Sequence, residues 1–397
     1  MKNNYPTKKL EDVCNFQNGF AFKSSHYSDS GYFVMRITNV QDGYIELNNP
    51  KYIKVDESNN FILNKGDILM SLTGNVGRVG VVQESHLPAV LNQRVARINI
   101  LYQEVLDKKY LFYFLQSPTF FSKVVSGGKG MAQQNVSTKD IKNLEIPLPP
   151  LEEQKKIVKV LEEKLGKIDE MIKLRKENIE DTEKLLSARL HEIFEEGKKN
   201  DWDEVGLGKS SILKMTSGGT PKRSNNDYYG GNIPWLKSGE LNDNRSILDS
   251  EEKITNKAIE ESSAKIFPAG TVLFAMYGAT AGKLGILNTE AATNQAVAGL
   301  TPTDKLNISF LFYFLMKKRQ DILKEAWGGA QPNLSQTILK KFKIPLPDLE
   351  IQEKIVKELD DLSGKIDQIK TLQKSQLENF KDLKQAYLRE AFKGKLI

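Results

Sequence analysis

Two textures alternate along the chain, each occurring twice. From residue 151 to 194 the positions Val158, Leu165, Ile172, Ile179, Leu186 and Ile193 are apolar at every seventh residue, with charged residues between them and no proline. A repeat of seven is the seam of a coiled coil, so one long helix is predicted from Leu151 onward. A second charged, proline-free run begins at Leu349 and offers Ile355/Leu359, Leu362/Ile366, Ile369/Leu372 and Leu383/Tyr387 at the same 3–4 spacing. The 44 residues from Leu151 to Phe194 would span about 66 Å as a helix, so each stripe needs a partner helix to cover it. Pro149 and Pro150, like Pro345 and Pro347, stand just ahead of these runs, where proline ends an extended segment and lets a helix begin.

Ahead of each helix the texture changes. Residues 1–150 and 200–348 hold short apolar runs such as YFVMRITNV, GDILMSL, VGVV and TVLFAMYG, separated by Gly, Asn, Asp and Pro. Such runs read as strands of β-rich globular domains. Each domain adds a short helix around an LFYFL block, near Lys108–Gln116 and near Ile308–Arg319. GKKNDW at residues 197–202 breaks the first helical pattern. The expected organisation is α+β: a domain at 1–150, a helix at 151–199, a domain at 200–348 and a helix at 349–397.

The two halves are copies. LFYFL recurs at Leu111–Leu115 and Leu311–Leu315, IPLP at Ile146 and Ile344, and GKID at Gly166 and Gly364; Ile146–Asp169 and Ile344–Asp367 share 16 of 24 residues at an offset of 198. Upstream the offset drifts to 202 at Asn92-Gln93 against Asn294-Gln295 and to 204 at Gly66 against Gly270, and little beyond a skeleton is shared. Gly166 and Gly364 lie inside helices, where glycine costs about 1 kcal/mol against alanine. Close approach of two helix backbones would explain the repetition; plain retention after duplication is the alternative.

The distribution of charge says which surface would meet an acidic partner, if the chain has one. Of the formal +6, none lies in the helices: residues 151–199 carry 12 Lys/Arg against 13 Asp/Glu, and residues 349–397 carry 10 against 9. The domains carry 17 against 13 and 18 against 16. An acidic ligand would therefore face the domains, with the helices as a spacer. One cysteine, Cys14, and three scattered histidines disfavour disulfides and a structural zinc site, which reads as a reduced, cytoplasmic chain. The N-terminal MKNNYPTKKLEDV lacks an apolar signal core, and no apolar stretch is long enough to span a membrane.

No catalytic constellation emerges. Val205–Ser210 imitates a phosphate loop but has Asp203 where glycine is needed, and Gly278–Lys283 has Tyr277 and Leu284 at required positions. No Gly-x-Gly-x-x-Gly motif and no Asn/Asp-Pro-Pro-Tyr/Phe motif of an amino-methyltransferase occurs; Asn48–Lys51 is the nearest to the latter. Asp348 with Glu353 resembles scattered nuclease carboxylates, yet Asp348 reads better as a helix N-cap.

What remains are glycine loops suited to an extended acidic ligand, since glycine lets backbone approach phosphate while a long side chain reaches a base or the backbone. In the first domain the candidates are Asn75, Arg78, Gln93, Arg94, Lys129, Gln133 and Gln134. In the second they are Lys222, Arg223, Trp235, Lys237, Lys283, Gln295 and Gln331. For each, an ordinary turn or core role stands beside the ligand-binding one. The coiled-coil seam is expected at Val158, Leu165, Ile172, Ile179 and Leu186 of one helix and Ile355, Leu359, Leu362, Ile366 and Ile369 of the other.

The helix-opening blocks IPLPPLEEQKKIV and IPLPDLEIQEKIV, each after a GDIL- or GTVL-type domain, and the stretch GGTP…YYGGNIPWLKSGEL resemble the specificity subunit of a type I restriction-modification system. The resemblance runs end to end. It implies two target recognition domains joined by two long helices that pair as an antiparallel coiled coil about a pseudo-two-fold axis. It further implies a non-catalytic subunit that reads double-stranded DNA at a bipartite target with two different half-sites. Its partners would be two adenine methyltransferase subunits using S-adenosylmethionine and motor-nuclease subunits using ATP and magnesium. Half-sites on one side of B-DNA lie about 34–36 Å apart or a multiple of it, and the long helix is the expected ruler. The first half carries Phe16-Gln17-Asn18-Gly19-Phe20 where the second has its glycine-rich Ser217–Thr220 stretch. A stand-alone DNA-binding regulator with a coiled coil, or a protein-binding scaffold, are the competing readings.

Overall fold

The structure is a computed structural model that describes residues 5–56, 60–126, 136–199, 202–325 and 334–396. It falls into two compact units, Met1–Lys176 with Lys374–Ile397, and Glu177–Gln373.

In the first unit an antiparallel sheet runs in the order Cys14–Asn18, Val95–Ile100, Ile68–Ser71, Val79–Val81. A second sheet places Tyr32–Met35 between Tyr52–Ile53 and Ala89–Leu91, parallel to the latter. All four residues of Ile68–Ser71 are buried. Ile68 and Met70 face one core and Leu69 another, which is why this strand reads as an unbroken apolar run rather than an alternation. Thr7–Lys9 pairs with Glu145–Pro147 and closes the domain beside the start of the first long helix.

The second unit repeats this plan with additions. Leu213–Ser217, Val297–Pro302, Val272–Ala275, Leu284–Leu287 and Asn244–Ile247 form five strands in that order. Glu252–Ile254, Tyr229–Leu236, Ala291–Thr293 and Ile266–Phe267 form four more. Glu204–Gly206 pairs with Lys343–Pro345 as its counterpart does in the first unit.

The long helices run Leu151–Lys199 and Leu349–Ala391. The LFYFL blocks lie in helices Lys108–Gln116 and Ile308–Glu325, the second extending past Arg319. Each block receives an aromatic residue from the far end of a long helix: Phe392 packs 5.1 Å from Tyr110 and 5.3 Å from Phe114, and Phe194 packs 5.3 Å from Phe310 and 5.5 Å from Phe314. Each helix start is fastened by a fully buried glutamine. Gln154 accepts the Asp107 N–H at 2.9 Å and donates to the Val105 and Pro149 carbonyls, and Gln352 does the same with Asn307, Lys305 and Pro347. The Asp348 backbone carbonyl receives the Ile351 and Gln352 N–H groups.

Within each unit the long helices pair antiparallel. Asp169 bonds Lys384 in the first; Glu183 bonds Lys370 and Arg189 bonds Glu358 in the second. Val158, Leu165, Leu359 and Ile366 are buried, and Ile172, Ile179, Leu186, Ile355 and Leu362 are half-buried. Ile369 is a correction: it is 41 % exposed, and Leu372 and Leu383 are likewise exposed. The seam of the second helix instead steps by seven from Leu359 and Ile366 to Gln373, Phe380 and Tyr387, a stripe hidden in the sequence because it contains an amide. Among the described residues nothing lies within 4 Å of a Cβ added at Gly166 or Gly364, so close helix approach does not account for them.

Candidate nucleic-acid interface

Backbone hydrogen bonds align the two domains where side chains no longer do. Gly19 donates to the Val95 carbonyl at 3.2 Å and Phe20 to Leu91 at 2.9 Å; Gly218 donates to Val297 at 3.1 Å and Gly219 to Thr293 at 2.9 Å. Phe16–Phe20 thus occupies the register of the Gly218-Gly219 segment. A Cβ at Gly19 would lie 2.3 Å from the Asn92 carbonyl, and one at Gly218 would lie 2.2 Å from that of Thr293, so only glycine fits at this approach. Parallel pairing of Met35 with Leu91 and of Leu236 with Thr293 then equates Arg36 with Lys237. Both open a turn whose fourth residue accepts their N–H, Asn39 Oδ1 at 3.0 Å and Glu240 Oε1 at 2.8 Å.

In the second unit the loops that follow these strands converge. Thr220 donates to Gln295 Oε1, Tyr277 to the Gln295 carbonyl at 2.9 Å, and Thr280 to the Ser238 carbonyl at 2.8 Å. In the first unit Gln93 N–H donates to Phe20 O, Leu72 N–H to Arg94 O and Val136 N–H to Leu72 O. One loop edge per domain therefore gathers Asn75, Arg78, Gln93 and Arg94, or Lys237, Lys283 and Gln295. Asn75, Gln93, Arg94, Lys222 and Gln295 are exposed there. Lys129, Gln133, Gln134 and Gln331 lie outside the described residues.

Most of the candidate cations already have acidic partners. Arg78 donates to Gln41 at 2.8 Å and lies 3.4 Å from Asp42; Lys283 lies 3.1 Å from Asp243. Arg223 and Lys237 converge on Glu252 at 2.7 and 2.8 Å. Their hydrogen bonds, that of Arg223 foremost, hold the Glu252 carboxyl below the usual carboxylate range. Among the described residues, Lys222 and Arg94 have no ion-pair partner.

Trp235 is a correction. It is 1 % exposed, its indole N–H donates to the Gly219 carbonyl at 3.1 Å, and Arg223 stacks 5.1 Å above the ring. A ring held in the core, with its single donor satisfied, has nothing to offer a base. Sequence reading missed Arg36, half-buried and bonded to the Asn49 carbonyl, and Phe20, 51 % exposed and 5.2 Å from Phe22. Aligning YFVMR with IPWLK would have found the first. Burial pushes the Cys14 thiol up to about 12, so it is no nucleophile. Among the described residues no three metal-ligating side chains converge, and no helix is long and apolar enough to cross a membrane.

A duplicated β-domain with one loop edge per copy, carried on paired long helices, is the architecture of a DNA specificity protein. The chain belongs to the family of the type I restriction modification DNA specificity domain, whose family model matches residues 2–181 and again 199–379. It is 24% identical over 416 residues to the type I restriction enzyme EcoBI specificity subunit of Escherichia coli, covering 98% of this chain and 85% of that one. Its fold is similar to a chain solved for the structural basis of complex assembly and conformational transition of the type I R-M system, with a TM-score of 0.73, 24% identity and 99% of each chain covered. The HsdS subunit of Thermoanaerobacter tengcongensis has a TM-score of 0.56 at 23% identity, covering 100% of this chain and 98% of that one.

Proposed function

We propose that this chain is the cytoplasmic specificity subunit of a type I restriction-modification complex and reads a bipartite DNA target, each domain taking one of two different half-sites. Two adenine methyltransferase subunits and motor-nuclease subunits would join it, and these would bring the chemistry of S-adenosylmethionine, ATP and magnesium. The chain itself supplies recognition and a scaffold. The observation that carries this reading is the loop edge, whose backbone register is the same in both domains while its side chains differ, as Phe20 against Gly219 and Arg94 against Ala296. A common frame with different side chains meets two unlike sequences in the same way.

Exchange of residues 202–348 for the matching segment of a relative with another target tests it. Mapping methylated adenines in cells carrying the exchanged protein should show one half of the target changed and the other kept. A change in both halves, or in neither, would overturn the division of recognition between the domains.

A further inference from the structure

Asp243 sits between two cations. Its carboxylate lies 3.1 Å from Lys283 Nζ and 3.2 Å from Arg319 Nη1, bonds Arg319 Nη2 as well, and accepts the Leu284 N–H at 3.1 Å. Asp243 adopts φ +62, a left-handed conformation uncommon outside glycine and tolerated by aspartate. Lys283 closes the glycine loop that begins at Tyr277, and its N–H is held by Thr280. The first domain keeps one ion pair of this arrangement. Ser71 donates to the Arg78 carbonyl as Ala275 does to that of Lys283, which equates the two cations. Counting on from the equated turns makes Asp42 the counterpart of Asp243, and Arg78 Nε lies 3.4 Å from Asp42. The loops have otherwise diverged, Leu72-Thr73-Gly74-Asn75 against Met276-Tyr277-Gly278-Ala279. An ion pair that survives such divergence in both copies, at the loop edge, serves something both copies do.

We infer that Asp243, and Asp42 in the first domain, are positioning residues that set specificity by neutralising the glycine-loop cation, so that it does not grip DNA phosphates of any sequence. Given that these loops meet DNA, as proposed above, an unpaired Lys283 beside Arg319 would add a sequence-independent grip. Non-specific affinity comes from counterion release, and each cation engaging phosphate steepens the salt dependence by about 0.9 in log–log slope. Pairing with Asp243 withholds that contribution, leaving discrimination to side chains that read base edges.

The test uses the full chain and a fluorescent duplex of about 30 base pairs of arbitrary sequence, titrated across a salt series. Asp243→Asn keeps an acceptor for Leu284 and removes the charge. It should tighten binding several-fold at low salt and steepen the slope by at least about 0.9, since Arg319 is released along with Lys283. Lys283→Gln alone should leave the slope unchanged, because that cation is already withheld, and adding Lys283→Gln to Asp243→Asn should take about 0.9 back off the slope. A slope unchanged in a folded Asp243→Asn protein would overturn the inference. So would a slope shallower by about 0.9 in Lys283→Gln, a variant that decides the matter even if Asp243→Asn fails to fold. A wild-type chain without salt-dependent binding would overturn the DNA reading itself and this inference with it.

Discussion

Gln373 donates its side-chain amide to the Thr182 hydroxyl at 3.2 Å across the paired helices, and Thr182 passes its own proton to the Asn178 carbonyl at 2.7 Å. Both side chains are buried, at 7 % exposure each, and among the described residues Gln373 Oε1 has no hydrogen-bond partner. A polar layer in an apolar seam lowers stability while fixing register. Gln373→Leu removes the unsatisfied oxygen and leaves Thr182 bonded, so it should raise stability by about 1 kcal/mol. Chemical denaturation measures this, and a lower midpoint would show that the amide contributes net stability where it stands.

Gly166 and Gly364 offer a second gain of a different kind. Both lie within helices and meet open space at Cβ, so alanine costs nothing in packing and restricts the unfolded chain. Each Gly→Ala change should stabilise by about 0.5–1 kcal/mol. The double variant should show close to the sum, since the sites share no contact. A loss of stability on thermal unfolding would show that an added Cβ does meet packed atoms at these positions.

Trp235 separates core from contact. Trp235→Phe removes the bond to the Gly219 carbonyl and some buried volume, and should cost about 1–3 kcal/mol. Its methylated target should stay the same, because the ring does not reach the loop surface. A changed target with unchanged melting temperature would return the residue to the recognition surface.

Sequence and structure divide along a physical line. The long helices, their start points and the duplication were legible because helical period and the repeated IPLP and GKID blocks are local, and local pattern survives in sequence. The strands were legible where both faces are buried, as in Ile68–Ser71 and Val272–Ala275, since such strands are unbroken apolar runs. The seam of the second helix was legible only in part: Ile369 is apolar and exposed, while Gln373 is polar and buried. Periodicity weighs residue type, whereas burial is decided by the facing helix. The candidate site shows the same limit more sharply. Arg78, Arg223, Lys237 and Lys283 stood out as cations, but their partners Asp42, Glu252 and Asp243 come from elsewhere in the chain, brought near by strand pairing that no local pattern encodes. The equivalence of Arg36 with Lys237 likewise rests on backbone register, because the hydrogen-bonding frame outlasted the side chains it carries. What the sequence determined by itself was the repeated architecture and the location of surplus charge; which of those charges is free to meet a ligand was decided only by tertiary structure, through long-range ion pairs.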